Sequence, residues 1–498
     1  MNWDAWLPLF IILISLLVAL AIFPLAEEKV KTRISLNLGG ALLKLVLVGF
    51  MLWGVYNGHH YETRLPFLPG LDLVLRADAL SMLFVVLSTG LWFLTTVYAV
   101  GYLEDSPHRS RFFGFFSLCV TATIGVALAG NLITFLLFYE LLTLATYPLI
   151  VHRGTEASRK AGRTYLIYTI GGGALLLIGT IWLYTLSGTL EFTTRGFLSA
   201  VDSSHHPALV IIFVLLIAGL GVKAALIPLH GWLPQSMVAP APVSALLHAV
   251  AVVKAGAFGI IRVVYDVFGI EFSASLGVTL PLAIVAASTI IYGSLRALFQ
   301  DDLKRRLAFS TVSQVSYIVL GIAIVGPLAT IGGLVHLVHQ GVMKITLFFC
   351  AGNLAETLGI HKVSEMSGVG KRMPWTMVAF TIGTLGMIGA PPLAGFISKW
   401  YLGMGALEAG QGWVVFVLAG SSLLNAGYFL PILYAAWFKE PVGNWPAERS
   451  FGHYETSLAL LLPPLVTALL AVLLGLFASA PFSPYSWSQF ITTLEYAP

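Results

Sequence analysis

Apolar runs of about 18 residues or more recur along the whole chain, separated by short polar joints. Each run is long enough to cross a bilayer as a helix. The pattern predicts fourteen spans, with approximate limits 6–26, 34–57, 79–103, 112–129, 131–152, 164–187, 207–229, 243–266, 275–299, 303–325, 327–352, 374–404, 412–436 and 454–482. The joints, among them EEKVKTR (27–33), EDSPHRSR (104–111), RGTEASRKAGR (153–163) and DDLKRR (301–306), leave no room for a soluble domain. The longest polar excursion, NGHHYETRLPFLPGLDLVLRAD (57–78), alternates enough to predict a short hairpin. Outer-membrane barrel strands would alternate with period two throughout. The fold class is therefore an all-α polytopic membrane protein, with residues 1–498 forming one integral membrane domain.

Composition agrees: of 498 residues 58% are hydrophobic and 10% charged, where a soluble protein carries about 25% charge. The first apolar segment has only Asp4 as a flanking charge and no clear small-x-small cleavage site, so it reads as a transmembrane helix rather than a signal peptide. Cys119 and Cys350 lie inside apolar segments without CxxC, haem or iron–sulfur spacing, which leaves this chain without a redox centre of that kind. No cofactor motif is present, and no clustered basic face suits nucleic acid.

Charge changes the picture more than composition does. Joints after odd-numbered spans hold 18 Lys and Arg, and those after even-numbered spans hold 3. The positive-inside rule then puts the odd-side joints in the cytoplasm and both termini on the non-cytoplasmic side of a cell inner membrane. Six basic residues remain, and all fall within predicted spans: Lys44, Lys223, Lys254, Arg262, Lys344 and Lys399. A central Lys or Arg costs about 2.5 to 3.5 kcal/mol on the translocon scale, so such residues mark function. Among acids, Glu140 sits mid-helix in NLITFLLFYELLTLATYPLI (131–150), while Asp78 and Asp266 lie near helix ends.

Several constellations follow. A Glu140–Lys223 pair can hold a proton until the pair is disturbed; the plainer reading is a static salt bridge. Pro228 breaks the seventh helix just beyond Lys223, and GMIGAPPLAGFISKWYL (386–402) sets Pro391 and Pro392 before Lys399 in the twelfth. Broken helices at membrane depth line water-filled or protein-buried sites. The two breaks lie five helices apart, so helices 4–8 (112–269) and 9–13 (275–436) are read as two inverted repeats. Helices 1–3 (1–111) precede them, and helix 14 with a tail (437–498) follows. Helix eight carries His248 and Lys254, with Arg262 close to the face of Lys254. In helix eleven His336, Gln340 and Lys344 form an i, i+4, i+8 stripe, with His339 beside it. A metal site is disfavoured, because no carboxylate or cysteine converges on these histidines and the lysines would repel a cation. Lys44, alone in helix two, is expected to be peripheral or snorkelling.

The FYELL glutamate, GVKAALIPLHGWLP (221–234), PAPVSALLHAVAVVKAG (240–256) and PPLAGFISK (391–399) together resemble the antiporter-like subunits. These are the large membrane subunits of respiratory complex I, membrane-bound hydrogenases and Mrp-type multisubunit Na⁺/H⁺ antiporters. The resemblance covers helices four to thirteen, about two-thirds of the chain. Length and the helix-twelve lysine look most like the D-type component of the Mrp antiporter or the M-type component of complex I. Longer L/A-type subunits carry a lateral helix or extra domains beyond helix fourteen, which the chain is expected to lack. PAPVSALLHAV is more similar to those longer subunits, so His248 mixes two subfamily patterns.

By this resemblance Glu140 and Lys223 modulate protonation, Lys254 connects and Lys399 is terminal, with His336, His339 and Lys344 among the polar residues of helix eleven. The expected function is proton translocation along a hydrated axis near the bilayer midplane, within a hetero-oligomeric cation(Na⁺)/proton antiporter or a complex I-like or hydrogenase assembly. The expected partners are other membrane subunits, lipid and H⁺, with Na⁺ a further candidate. A stand-alone transporter of an organic solute and a quinone-reactive subunit are the competing classes.

Overall fold

The computed structural model describes residues 3–103, 106–441 and 443–496. Among the described residues, thirteen helices are long and apolar enough to cross a membrane. They are α1 (Trp3–Ile22), α2 (Val30–Tyr56), α3 (Ala79–Tyr102), α4 (Arg109–Leu128), α5 (Leu132–Ile150), α6 (Glu156–Ser187), α7 (His206–Lys223), α8 (Ala241–Phe268), α9 (Thr279–Leu298), α10 (Leu303–Ala323), α11 (Pro327–Leu358), α13 (Trp413–Phe438) and α14 (Leu458–Leu476). The expected twelfth span is two pieces, α12a (Pro374–Ile388) and α12b (Ala394–Glu408), neither long enough to cross alone. Gly389 ends α12a at φ +98°, and Pro391 and Pro392 supply no amide hydrogen to carry the ladder on.

The chain is a multi-pass membrane protein with an interior of unusual polarity. The membrane-crossing stretches of α8, α10 and α11 are wholly surrounded by protein. The outer helices instead show lipid-facing side chains such as Leu144, Ile181, Phe416 and Leu423. In hydrocarbon that outer face costs nothing, so polar residues are sorted inward.

The 57–78 excursion is the expected hairpin, β1 (Tyr61–Leu68) and β2 (Leu71–Ala77), paired antiparallel. Other boundaries differ from the sequence reading. Helix α6 starts at Glu156 because Thr155 caps its polar first turn, accepting from the Ser158 amide. A final helix, α15 (Pro484–Tyr496), was not expected. It is too short to register as a span, and its buried face of Trp487, Ile491 and Glu495 follows an i, i+4, i+8 period. The Trp487 indole donates to Ala79 O at 2.7 Å and so fixes α15 to the start of α3.

Candidate functional site

Lys223 is the last residue of α7 and is fully buried. Its ammonium donates to the Tyr139 carbonyl of α5 and lies 3.4 Å from the centroid of the Tyr139 ring. The Tyr139 hydroxyl in turn donates to Gly219 O at 3.1 Å, which locks α5 to α7. Glu140 is not the direct partner, since no ion pair within 4 Å joins it to Lys223 among the described residues. Its carboxylate packs over Gly173 of α6, where a Cβ would collide with Oε1, and Oε1 has no hydrogen-bond partner. The static-bridge reading and the contact pair both give way to this looser arrangement.

The break in α7 opens at Lys223 itself. The Val222 carbonyl accepts from the Ala225 amide at 3.2 Å and from the Trp232 indole at 2.7 Å, and the Ile227 amide donates to Thr289 Oγ1 at 3.1 Å. Pro228 lies in the turn but is exposed on the outside of the bundle. The carbonyl that meets Lys223 is therefore one from α5, and not one released by Pro228, as the position of the proline suggests.

Helix α8 is distorted where its chemistry begins. Leu246–Val250 forms a π-helical turn that contains His248, whose ring stacks on Phe348 at 4.5 Å. Such turns gather at functional positions. Neither ring nitrogen of His248 has a hydrogen-bond partner. Lys254 donates across to Leu337 O of α11 at 2.7 Å. Arg262, expected near the Lys254 face, instead makes ion pairs with Asp266 (2.7 Å) and Asp78 (2.9 Å). Burial would raise the Asp78 carboxyl, but the Arg262 guanidinium outweighs burial and holds it below its ordinary range. This triad pins α8 to the start of α3 and stands apart from the row of lysines.

Between α10, α11, α12 and α13 runs a set of linked hydrogen bonds. Lys344 of α11 donates to Ser310 Oγ of α10 at 2.7 Å, and the Tyr428 hydroxyl of α13 lies 2.9 Å from the same Ser310, free to accept its proton. The Tyr428 hydroxyl lies 2.6 Å from Asn425 Oδ1, and the Asn425 amide donates to Met387 O at 3.2 Å. That carbonyl also accepts from Lys399 at 3.0 Å, with Ile388 O at 2.8 Å and Ser422 Oγ at 3.1 Å completing the lysine's set. Lys399 thus caps the carbonyls that the α12 break sets free. Gly389 leaves space for it, because a Cβ there would lie 2.8 Å from Lys399 Cδ.

His336 Nδ1 is 2.8 Å from Ser398 Oγ, and the ring stacks on Tyr317 at 5.1 Å. Ser398 is the residue before Lys399, so this contact brings His336 to the turn that carries that lysine. His339 Nδ1 is 2.7 Å from Ala394 O. The outer nitrogens of both histidines, both amide atoms of Gln314 and Gln340, and the Tyr317 hydroxyl are buried without partners. Polar atoms left unpaired in a row are what a hydrated path requires.

Sequence reasoning missed Tyr139, Ser310, Tyr428 and Asn425, which join the lysines. The run STVSQVSY (310–317) in α10 was a readable signal, being polar on several sides of a wholly enclosed helix. No group of His, Cys, Asp and Glu suited to a metal occurs among the described residues. Lys44 is a correction. It is fully buried and donates to Ser15 Oγ at 2.5 Å, so it neither snorkels nor lies at the periphery.

Residues 129–425 match the family described as NADH:quinone oxidoreductase/Mrp antiporter, TM, and residues 70–113 match NADH-Ubiquinone oxidoreductase (complex I), chain 5 N-terminus. The chain is 37% identical to the N-type component of the NADH-quinone oxidoreductase of Desulforudis audaxviator (strain MP104C), covering 95% of this chain and 96% of that one. It is 29% identical to the D-type component of the Na⁺/H⁺ antiporter of Bacillus subtilis (strain 168), covering 83% and 82%. A chain in the Mrp complex from Dietzia sp. DQ12-45-1b shares the fold at a TM-score of 0.86 and 23% identity, covering 100% and 98%. The expected preference for the D type is not carried by these figures, since the N-type relative has the higher identity over more of the chain.

Proposed function

The chain belongs to the NADH:quinone oxidoreductase/Mrp antiporter family of membrane subunits, and we propose that it translocates protons along the buried axis Lys223–Lys254–His336–Lys399. The observation that carries this reading is the set of membrane-embedded lysines on that route without a carboxylate contact, Lys223 on the Tyr139 carbonyl, Lys254 on Leu337 O and Lys399 on Met387 O and Ile388 O, with His336 on Ser398, the neighbour of Lys399. Lysines without carboxylate contact, each held by one or a few carbonyl or hydroxyl groups, are poised to give up a proton.

In this reading a proton reaches Lys223, whose charge is tuned by Glu140 at a distance and held by Tyr139. It moves by Lys254 and the His336–His339 region, with His248 and Lys344 alongside, and leaves at Lys399. A small displacement of α5 against α7 would change the distance from Glu140 to Lys223 and push the proton onward. The two halves of the axis are the two inverted five-helix units, 112–269 and 275–436, each with its broken helix, at Lys223 or at Pro391–Pro392. The basic joints face the cytoplasm and both termini the opposite side.

The partners are other membrane subunits of a multisubunit assembly, and the ion that exchanges or is pumped is H⁺, with Na⁺ a further candidate in an antiporter assembly. A second reading of the parent, a complex I-like respiratory assembly, is favoured by the 37% identity to an N-type component over nearly the whole chain. The mechanism within this chain is the same in both. In everted vesicles bearing the native assembly, Lys223→Ala abolishes ΔpH formation, and undiminished transport would refute the reading.

A further inference from the structure

The proton axis leaves Lys44 unused, although it is buried as deeply as any lysine on that axis. It sits 14 residues into α2, about 21 Å along the helix at 1.5 Å per residue and so near mid-membrane. No carboxylate lies within ion-pairing distance among the described residues. Its amine has Ser15 Oγ of α1 at 2.5 Å and the Trp92 ring of α3 at 5.1 Å.

Two polar stripes lead to it. On α2, Arg33, Asn37 and Lys44 occur at i, i+4 and i+11, within an arc of about 40°. On α4, Ser110, Ser117 and Thr121 occur at i, i+7 and i+11, an arc of the same width. All six are buried, and the stripes face each other. Arg33 Nη1 donates to Ser110 Oγ at 2.7 Å, and Asn37 Nδ2 to Arg33 O at 3.0 Å. Ser117 donates to Asn37 Oδ1 at 3.2 Å, Thr121 reaches Ser117 O (3.1 Å) and Ser15 Oγ (2.8 Å), and Ser15 Oγ accepts from Lys44. The file starts at the face of the basic joints, where a cavity of about 230 Å³ is lined by Arg33 and Arg109. There Glu27 accepts the Arg109 and Ser110 amides at 2.9 and 3.1 Å, a negative group beside Arg33. Beyond Lys44, only α3 separates the file from the axis. The α3 residues Thr89 and Trp92 have buried polar atoms without partners, and Ser88 donates to Val250 O at 3.2 Å, in the π turn of His248.

We propose that this file is a second, lateral proton path, which delivers protons from the basic-joint face to Lys44. A hydronium ion at the cavity gives up one proton, water and hydroxyl groups pass it inward, and the Lys44 amine takes it up as an ammonium. Release runs onward across α3 by way of Thr89 and Ser88 toward the axis and returns the amine to its neutral form, so no other reactant is consumed. A merely structural buried lysine would need a carboxylate partner, which Lys44 does not have among the described residues, and breaking such a pair by replacement with Met would destabilise the protein; a buried charge held only by a hydroxyl and a ring leaves stability unchanged or raises it when removed.

The path rests on the proton-translocating reading, so the test separates the two. In the native assembly carrying Cys119→Ala and Cys350→Ala, Asn37→Cys reacts with methanethiosulfonate ethylammonium added at the basic-joint face. Val48→Cys, one turn beyond Lys44 on the same helix, does not react. An unreactive Asn37→Cys overturns the file whether or not transport survives. Lys44→Met lowers proton translocation at least twofold with no fall in thermal stability, and Ser15→Ala with Thr121→Val does the same should the Met variant fail to assemble. Wild-type translocation by an assembled Lys44→Met protein overturns the file alone when Lys223→Ala is inactive. If Lys223→Ala is active as well, the axis falls with it.

Discussion

Lys223 lies over the ring of Tyr139, its Nζ 3.4 Å from the ring centroid, and leaves the neighbouring Glu140 out of contact. A contact ion pair inside a membrane is hard to open, because separating it strands two desolvated charges. A lysine held by a carbonyl and a π-face is restrained less tightly, so a remote carboxylate can tune it. Tyr139→Phe keeps the ring and the backbone carbonyl, and should retain most transport. Tyr139→Leu removes the ring, and should cost about 1 to 2 kcal/mol of cation stabilisation, or about tenfold in translocation rate. Initial rates of ΔpH formation in everted vesicles distinguish the two.

The Tyr428 hydroxyl bridges Ser310 and Asn425. Tyr428→Phe breaks the link between Lys344 and Lys399 while leaving the ring packed. The loss of about 1.4 kcal/mol of hydrogen bonding corresponds to about a tenfold drop in rate. The same assay should find Tyr434→Phe, on the exposed face of the same helix, much milder.

Gly389→Ala introduces a Cβ at φ +98°, 2.8 Å from Lys399 Cδ. The strain should cost about 1 to 3 kcal/mol, read as a fall in thermal midpoint, and Lys399 should lose its carbonyl cap. Gly173→Ala should displace Glu140 in the same way, with a larger effect on transport than on stability, measured on the same samples.

On the hairpin side, Glu191 accepts from Arg64 at 2.6 and 2.9 Å and from Arg76 at 3.1 Å. The Arg64 hydrogen bonds, aided by both guanidinium charges, hold the Glu191 carboxyl below its ordinary value of 4.5. A depressed carboxylate stabilises the fold above that ordinary value, and the contribution fades as pH falls through the lowered one. Glu191→Gln should therefore lower the thermal midpoint at neutral pH, and the difference from wild type should shrink as the pH is taken well below 4.5. Unfolding in detergent at several pH values checks the sign.

Much of this was legible in the residues. Apolar run length gave the spans, because a lipid-exposed helix has to be about that long. The lysines showed themselves by cost alone. Less legible were the partners, since a carbonyl such as that of Leu337 or Met387 carries no side-chain signature. The π turn around His248 had none either. Lys44 was misjudged because a single lysine in a span looks peripheral when its helix is read alone; its meaning lies in Ser15, Ser117 and Thr121 on two other helices. The break of α7 was read from Pro228, whereas the helix ends five residues earlier at Lys223.

The central claim is that protons cross by way of Lys223. Its most direct test is the rate of dye-reported ΔpH formation by everted vesicles carrying Lys223→Ala in the native assembly, normalised to the amount assembled. The account predicts a fall of about tenfold or more, in line with the loss of an obligatory group; a normalised rate equal to that of the wild type would contradict it.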